Sequence, residues 1–173
     1  MDRINLVKPN RDLEQQAIDY KQEHFESGEN IISGSELWDK TESYSEWLEA
    51  VTKNTNKDTV NPSWVVTDTF FAVRESDNKV LGVISFRHEL NDFLKDFGHI
   101  GYSVRPAERK KGYATEMLKL ILEVAKEVGL SQVQLSCEKA NVPSIKTIAK
   151  NGGVYERSFE FEGETADIFI IKL

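Results

Sequence analysis

At 173 residues, 39% hydrophobic and 29% charged with only four prolines, the chain has the composition of one soluble globular domain spanning residues 1–173. Its formal net charge of -7 argues against a general nucleic-acid binder, which needs a broad basic face. No apolar run approaches the ~20 residues of a membrane helix. Cys137 is the sole cysteine, so neither an internal disulfide nor a cysteine-rich metal site can form, and no metal is expected. The N-terminus lacks the basic-then-apolar layout of a secretory signal, which makes a reducing cytoplasm the expected location.

In chain order, "INLVKP" reads as a short first strand, and Leu13, Ala17, Tyr20 and Phe25 then recur at roughly helical spacing. Ser43 with Glu46 forms a capping-box pattern ahead of Tyr44, Trp47, Leu48 and Val51, which share one helical face. The polar stretch "TKNTNKDTVNPS" reads as a loop. Beyond it, "TFFAVRES", "KVLGVISFRHEL" and "GHIGYSVRP" are apolar, β-branched or aromatic runs divided by turn chemistry, as in an antiparallel meander. Helical spacing returns at Ala114, Met117, Leu118, Ile121, Leu122, Ala125 and Val128, with Gly129 placed to end the helix. Val133, Leu135 and Cys137 alternate as in a strand with an apolar face, which makes Cys137 a core residue rather than a nucleophile. A short helix over "VPSIKTIAKNGG" and two closing strands around Gly163 complete the chain. The order is that of an α/β protein with a mixed sheet, and the strand–helix–strand unit across 98–137 predicts a right-handed parallel crossover.

One stretch has chemistry beyond folding. "RPAERKKGYATEML" places Arg105, Arg109, Lys110 and Lys111 immediately before Gly112, between a strand and a helix. The first turn of a helix leaves backbone N–H groups free and its dipole favours an anion. A glycine there lets the main chain approach a phosphate closely. Arg109 and Lys111 are expected beside the anion and Lys110, which alternates with them, more toward solvent. The blander reading is a turn glycine in a solvated basic loop. Neither the nucleotide P-loop nor the Rossmann glycine pattern is present.

The stretch "VRPAERKKGYATEML" resembles the acyl-CoA-binding motif of the GCN5-related N-acetyltransferases (GNAT), Arg/Gln-x-x-Gly-x-Gly/Ala, through Arg109, Gly112 and Ala114. Asn141, Ser144 and Gly152 match the second half of that family's pattern, and the resemblance covers about residues 64–173. "RHELN", "GHIGYSVRP" and "NGG" resemble a bacterial subgroup of predicted acetyltransferases. The resemblance implies a GNAT-type fold: a central mixed, mostly antiparallel twisted sheet flanked by helices, its fourth and fifth strands splayed. It implies acetyl-CoA as acyl donor, held by Tyr102, Ser103, Val104, Arg109, Lys110, Lys111, Gly112, Tyr113, Ala114, Thr115, Asn141 and Ser144. The main chain near Tyr102–Val104 would orient the thioester, with Gly101 suited to a bulge. The acceptor implied is the amine of a small molecule or peptide. Neither nucleic acid nor membrane is expected as a partner, and a homodimer is left open.

Direct attack by an amine requires loss of a proton. An amine of pKa about 10.4 lies ~3.4 units from its reactive form at pH 7, roughly 4.6 kcal/mol. His99 is the preferred base, with His88 and Glu89 as further candidates, because histidine titrates nearest neutrality. Structural hydrogen bonding is the plainer role for either histidine. Many family members carry a Tyr seven residues after the motif Asn as general acid. Here Ile148 stands at that position, and the acid is unassigned. That departure keeps a non-catalytic acyl-CoA sensor as the alternative, and the phosphate cradle alone would suit an unrelated anion-binding domain. Trp64, Phe70 and Phe71 either line the acceptor cleft or, as strand aromatics usually do, join the core. The acidic run "ERSFEFEGE" reads as a solvated strand face before it reads as a lure for a cation.

Overall fold

A computed structural model describes all 173 residues. The elements are β1 (Ile4–Val7), α1 (Glu14–Glu26), α2 (Tyr44–Lys53), β2 (Thr67–Arg74), β3 (Val80–Arg87), β4 (Ile100–Val104), α3 (Tyr113–Val128), β5 (Gln132–Glu138), α4 (Val142–Lys150), β6 (Val154–Phe161) and β7 (Glu164–Lys172). They form two antiparallel sheets, in the order β1-β2-β3-β4 and β5-β7-β6. Helices flank the sheets, and β4 and β5 splay apart as the family resemblance implies.

The splay goes further than expected, since β4 and β5 share no ladder and the parallel pairing predicted across 98–137 does not form. The strands touch at their root, where Gly98 bridges Leu135 in the antiparallel sense and His99 N–H donates to the Gln134 carbonyl at 2.7 Å. The reason the ladder stops is local. The next N–H, that of Gln134, donates to His99 Nδ1 at 2.9 Å, so an imidazole occupies the place of a backbone acceptor. Gly98 is required there, because it adopts φ +88° and a Cβ would stand 2.5 Å from the Gln134 oxygen.

α3 presents Met117, Leu118, Ile121 and Ala125 to Ile84, Phe86, Ile100, Val133 and Leu135, making one buried cluster. The second lies on the other face of the first sheet, where Tyr20, Trp38, Tyr44, Trp47 and Val51 pack on Phe71 and Val83. On α1 the buried row is Ala17, Tyr20 and His24, while Phe25 is exposed, because positions four apart stack and the next residue turns away. Val128 is exposed for the same kind of reason at the end of α3. Ser43 caps α2 by accepting from Glu46 N–H at 3.1 Å. β6 is exposed along nearly its whole length, so the acidic run does form a solvated face.

The segment between α1 and α2 is pinned across the first sheet. Trp38 Nε1 donates to the Ala17 carbonyl at 3.1 Å and Trp47 Nε1 to the Ser35 carbonyl at 2.7 Å. Gly34 lies so close to β4 that a Cβ would stand 2.3 Å from the Gly101 oxygen. Gly101 is therefore not a bulge; β3 and β4 pair in regular register from Gly82 with Val104 to Phe86 with Ile100. Its missing side chain makes room for Gly34 instead.

That contact gives a stability prediction. Gly34→Ala meets both a left-handed φ of +75° and a backbone wall, and is expected to lower unfolding free energy by on the order of 3 kcal/mol. Gly163→Ala, at φ +81° with nothing nearby, should cost only about 1–2 kcal/mol. Urea denaturation of both variants measures the difference, and equal losses would remove the docking role of Gly34.

Candidate active site

The separation of β4 from β5 leaves one edge of β4 without a strand partner. A cleft of about 550 Å³ opens along it. Tyr102, Ser103 and Val104 line one wall; Lys110, Gly112, Tyr113, Ala114 and Thr115 line the end where α3 begins. Asn141, Pro143, Ser144, Lys146, Thr147 and Lys150 contribute from α4, and Glu29, Ile31 and Ser33 from the segment after α1. The sequence reading missed this last group of three, and Pro143, Lys146, Thr147 and Lys150 of α4 with it. The two lysines, four apart on α4, carried a usable helical signal. Glu29, Ile31 and Ser33 reach the cleft only through tertiary docking.

Two helices start at this cleft. Gly112 is the cap residue of α3, at φ 87°, and no side chain caps that helix, so its first-turn N–H groups are open to an anion. A Cβ on Gly112 would touch only the Met1 sulfur, at 3.4 Å. α4 is capped differently: Asn141 Oδ1 accepts from Ser144 N–H at 3.3 Å.

The cations ahead of Gly112 have separate fates. Arg105 is buried, its Nε donating to the Val80 carbonyl at 2.8 Å with Glu23 3.6 Å away, so it belongs to the fold. Arg109 donates from Nε to the Val104 carbonyl at 3.0 Å and grips Glu29 with its other nitrogens, Nη2 to Oε2 at 2.9 Å. That guanidinium holds the Glu29 carboxyl below the usual carboxylate range. Lys111 turns to the buried Glu108 at 2.9 Å, which also meets Arg74 at 3.1 Å and Lys79 at 3.4 Å. Lys110, with left-handed backbone at φ 64°, lines the cleft and makes no ion pair. The two lysines are thus placed opposite to expectation. The buried Glu108 decides it by drawing Lys111 away.

Along β4, alternation sends neighbouring side chains to opposite faces. Ser103 Oγ pairs with Tyr20 Oη at 2.7 Å, leaving its main chain as what it offers the cleft. Tyr102 Oη meets Ser144 Oγ at 2.8 Å, spanning the gap from β4 to α4. Burial pushes the Tyr102 phenol up to about 12, so it is a neutral donor at pH 7. Ile148 is buried in the core, and Tyr155 is exposed on β6 with its hydroxyl on Ser158 at 2.8 Å. Cys137 is buried too, with its thiol pushed up by desolvation.

None of the three candidate bases lines the cleft. His88 Nε2 pairs with Asp68 at 2.7 Å, and Glu89 is exposed in the loop after β3. His99 is committed at the root of the split. Its Nδ1 accepts from Gln134, so the neutral ring carries its proton on Nε2 and has no lone pair left for a substrate proton. Burial lowers its pKa, with the nearby Arg87 charge acting in the same direction.

The fold agrees with comparisons to known proteins. The acetyltransferase (GNAT) domain family model matches residues 3–154, and the chain belongs to that family. Over 65 residues it is 37% identical to the uncharacterized N-acetyltransferase YnaD of Bacillus subtilis (strain 168), covering 35% of this chain and 38% of that protein, well under two thirds of its length. The structure of RimL, a ribosomal L7/L12 alpha-N-protein acetyltransferase in complex with coenzyme A, superposes with a TM-score of 0.72 at 13% identity, covering 98% of this chain and 94% of that one. The microcin C7 self-immunity acetyltransferase MccE, in complex with acetyl-CoA and AMP, gives 0.71 at 18% identity, covering 100% and 94%. At these identities the structural likenesses establish the fold.

The His99 assignment is directly measurable. Nitrogen-15 imidazole spectra at pH 7 are expected to show His99 neutral, with a proton on Nε2 and Nδ1 as acceptor, titrating below the ordinary value of 6.5. A protonated Nδ1 at neutral pH would restore His99 as a base.

Proposed function

We propose that the protein is an acetyl-CoA-dependent N-acetyltransferase that moves an acetyl group to a primary amine of a small molecule or peptide in a ternary complex. The observation that carries this reading is the cleft itself, with an unpartnered β4 edge along one wall and an uncapped helix N-terminus at its end. A long phosphate-bearing thioester fits such a site. Its phosphates suit the first turn of α3, with Lys110, Lys146 and Lys150 uncommitted nearby, and its amide-rich arm suits the free β4 main chain. Family membership supports the reaction, and MccE and RimL, whose structures hold acetyl-CoA and coenzyme A respectively, support the donor.

Within that reading the acid role belongs to Tyr102. Ser144, its partner, lies one turn before Ile148 on α4, so β4 supplies across the gap the hydroxyl that position 148 lacks. A neutral phenol in the cleft can donate a proton to the departing thiolate. The amine attacks the acetyl carbon, the C–N bond forms as the C–S bond breaks, and positioning of both reactants supplies much of the rate.

An amine panel followed by release of coenzyme A thiol tests the activity, and acetyl-CoA binding without turnover of any amine would leave only the sensor. Two further outcomes follow from the geometry. Lys110→Ala should weaken acetyl-CoA binding about two- to fivefold at low salt and less at high salt, whereas Lys111→Ala should lower thermal stability with little change in affinity, both read by calorimetry. Tyr102→Phe should cut kcat about tenfold or more while acetyl-CoA affinity stays near wild type. Unchanged kcat would return the acid to water.

A further inference from the structure

After crossing β4 at Gly34, the chain holds two consecutive non-glycine residues in the left-handed region, Glu36 at φ 51° and Leu37 at φ 67°. Such backbone persists only where its surroundings over-determine it, and it gathers at functional sites. Here it carries the Glu36 side chain, 9% exposed, onto the face of the first sheet away from α3 and α4. Its one cation, Arg87, stands 3.7 Å away without closing a hydrogen bond, its Nη1 being donated to the Gly98 carbonyl at 2.9 Å.

What surrounds this carboxylate is unfinished. Ser85 and Trp64 stand near enough to favour its charge, yet the Ser85 hydroxyl, the Trp64 indole N–H and the Arg87 Nε–H are all buried without a partner. Thr69, opposite Ser85 in the β2–β3 ladder, adds a fourth unpaired buried group, its hydroxyl. Buried polar groups are nearly always bonded, so four such groups gathered around one carboxylate leave donors and an acceptor open to a further partner. Ser85 is 1% exposed and pairs in register with Gly101, beside the β4 main chain that borders the cleft. Aromatic rings lead from the cluster to the surface: the Trp64 ring lies 6.2 Å from Phe93, which is 67% exposed, and Phe93 lies 5.7 Å from Phe97.

We propose that the acceptor amine is received at this polar cluster, that Glu36 takes its proton, and that the acceptor is a primary monoamine on an apolar or aromatic carbon chain. The inference rests on the acetyltransferase reading above and names the base and acceptor class for it. Glu36 is the acid within the cluster and Arg87 already stands against its charge, so nothing in the cluster would balance a second ammonium on the acceptor. Burial raises the Glu36 carboxyl above the ordinary carboxylate range, although Arg87, Ser85 and Trp64 each pull it down. Other titratable groups on this side are His99 beside Arg87, Asp39, held by Ser35 at 3.3 Å, and, from α1 and α2, Tyr20, His24 and Tyr44. His88 and Asp68 alternate to the opposite face of the sheet.

In the step, the ammonium passes one proton to a Glu36 carboxylate oxygen. The freed nitrogen pair forms the C–N bond to the acetyl carbon, and the C–S pair leaves with sulfur. Of the ammonium's three protons one stays on the amide, one ends on the thiol and one goes to solvent, which returns Glu36 to its ionised form.

Glu36→Gln and Glu36→Asp test the proposal with benzylamine and acetyl-CoA on the full chain. Glu36→Gln should lower kcat/KM about 10²–10⁴-fold at pH 7 and erase the acidic limb of the pH–rate profile, with acetyl-CoA affinity within about twofold of wild type. Glu36→Asp should recover part of the rate and restore the limb, which loss of packing alone would not do. It also decides the matter if the Gln variant fails to fold. Wild-type rate and profile in Glu36→Gln, or no recovery in a folded Glu36→Asp, overturns the role of Glu36. Faster turnover of spermidine than of benzylamine overturns the acceptor class. If wild type acetylates no amine, the activity reading falls by itself, and benzylamine binding to the coenzyme A complex decides the site. Binding lost in Glu36→Gln supports it, and equal or absent binding in both proteins overturns it.

Discussion

A single hydrogen bond, from Gln134 N–H to the imidazole of His99, stands where the two sheets part, and the cleft depends on that parting. The His99 carbonyl, which could have extended the β4–β5 pairing, instead accepts from Arg87 N–H on β3 at 2.7 Å. With the ring as acceptor for Gln134 N–H, the pairing ends after one bridge, and the strands leave each other with β4 held by β3 and β5 held by β7. The cleft follows from this divergence. So does its lining of free main chain, which a closed sheet would have consumed. His99 thus acts on the site by shaping the sheet, which explains why a histidine so close to the split is not available as a base. Gly98 allows the arrangement, since any side chain there would meet Gln134.

The sequence displayed most of this fold, because most elements are announced by local chemistry. Met117, Leu118, Ile121 and Ala125 mark α3 by period, Ser43 marks the start of α2 by its cap, and Gly129 and Gly163 mark an end and a turn. Gly112, Ala114 and Ser144 mark the cleft by motif. Position-specific roles were less legible. Lys110 and Lys111 are adjacent and chemically alike, and only the buried Glu108, drawn in with Arg74 and Lys79, separates them. Histidine was favoured as a base because of its ordinary pKa, but its hydrogen-bond partner comes from a residue 35 positions away. Glu36 offered no local signal at all, since its importance depends on β3, β4 and Trp64 arriving around it.

Charge within the acidic chain is arranged so that fixed and free cations do different work. Arg105, Arg109 and Lys111 are bound to Glu23, Glu29 and Glu108, and these pairs fix the loop between β4 and α3. Paired in this way, they give the loop shape but little surplus field. Lys110, Lys146 and Lys150 line the cleft without ion-pair partners and supply that field. Exposed pairs contribute only about 0–1 kcal/mol each, so the loop's position rests more on Glu108, buried among three cations, than on the count of bridges.

The segment from Gly34 to Trp38 shows how an unsatisfied site is held in a stable protein. Left-handed backbone at Glu36 and Leu37 costs on the order of 1–2 kcal/mol per residue, and each buried orphan donor costs about 1–3 kcal/mol. These penalties would unfold a loop left to itself. They are offset by burial of Trp38 and Trp47, whose indoles donate into this same segment and into α1, and a fully buried large apolar side chain is worth roughly 1.5–3 kcal/mol. The aromatic cluster beneath α1 and α2 therefore has a purpose beyond core packing. It holds a carboxylate and its unpaired neighbours against β3, an arrangement no local sequence preference would maintain.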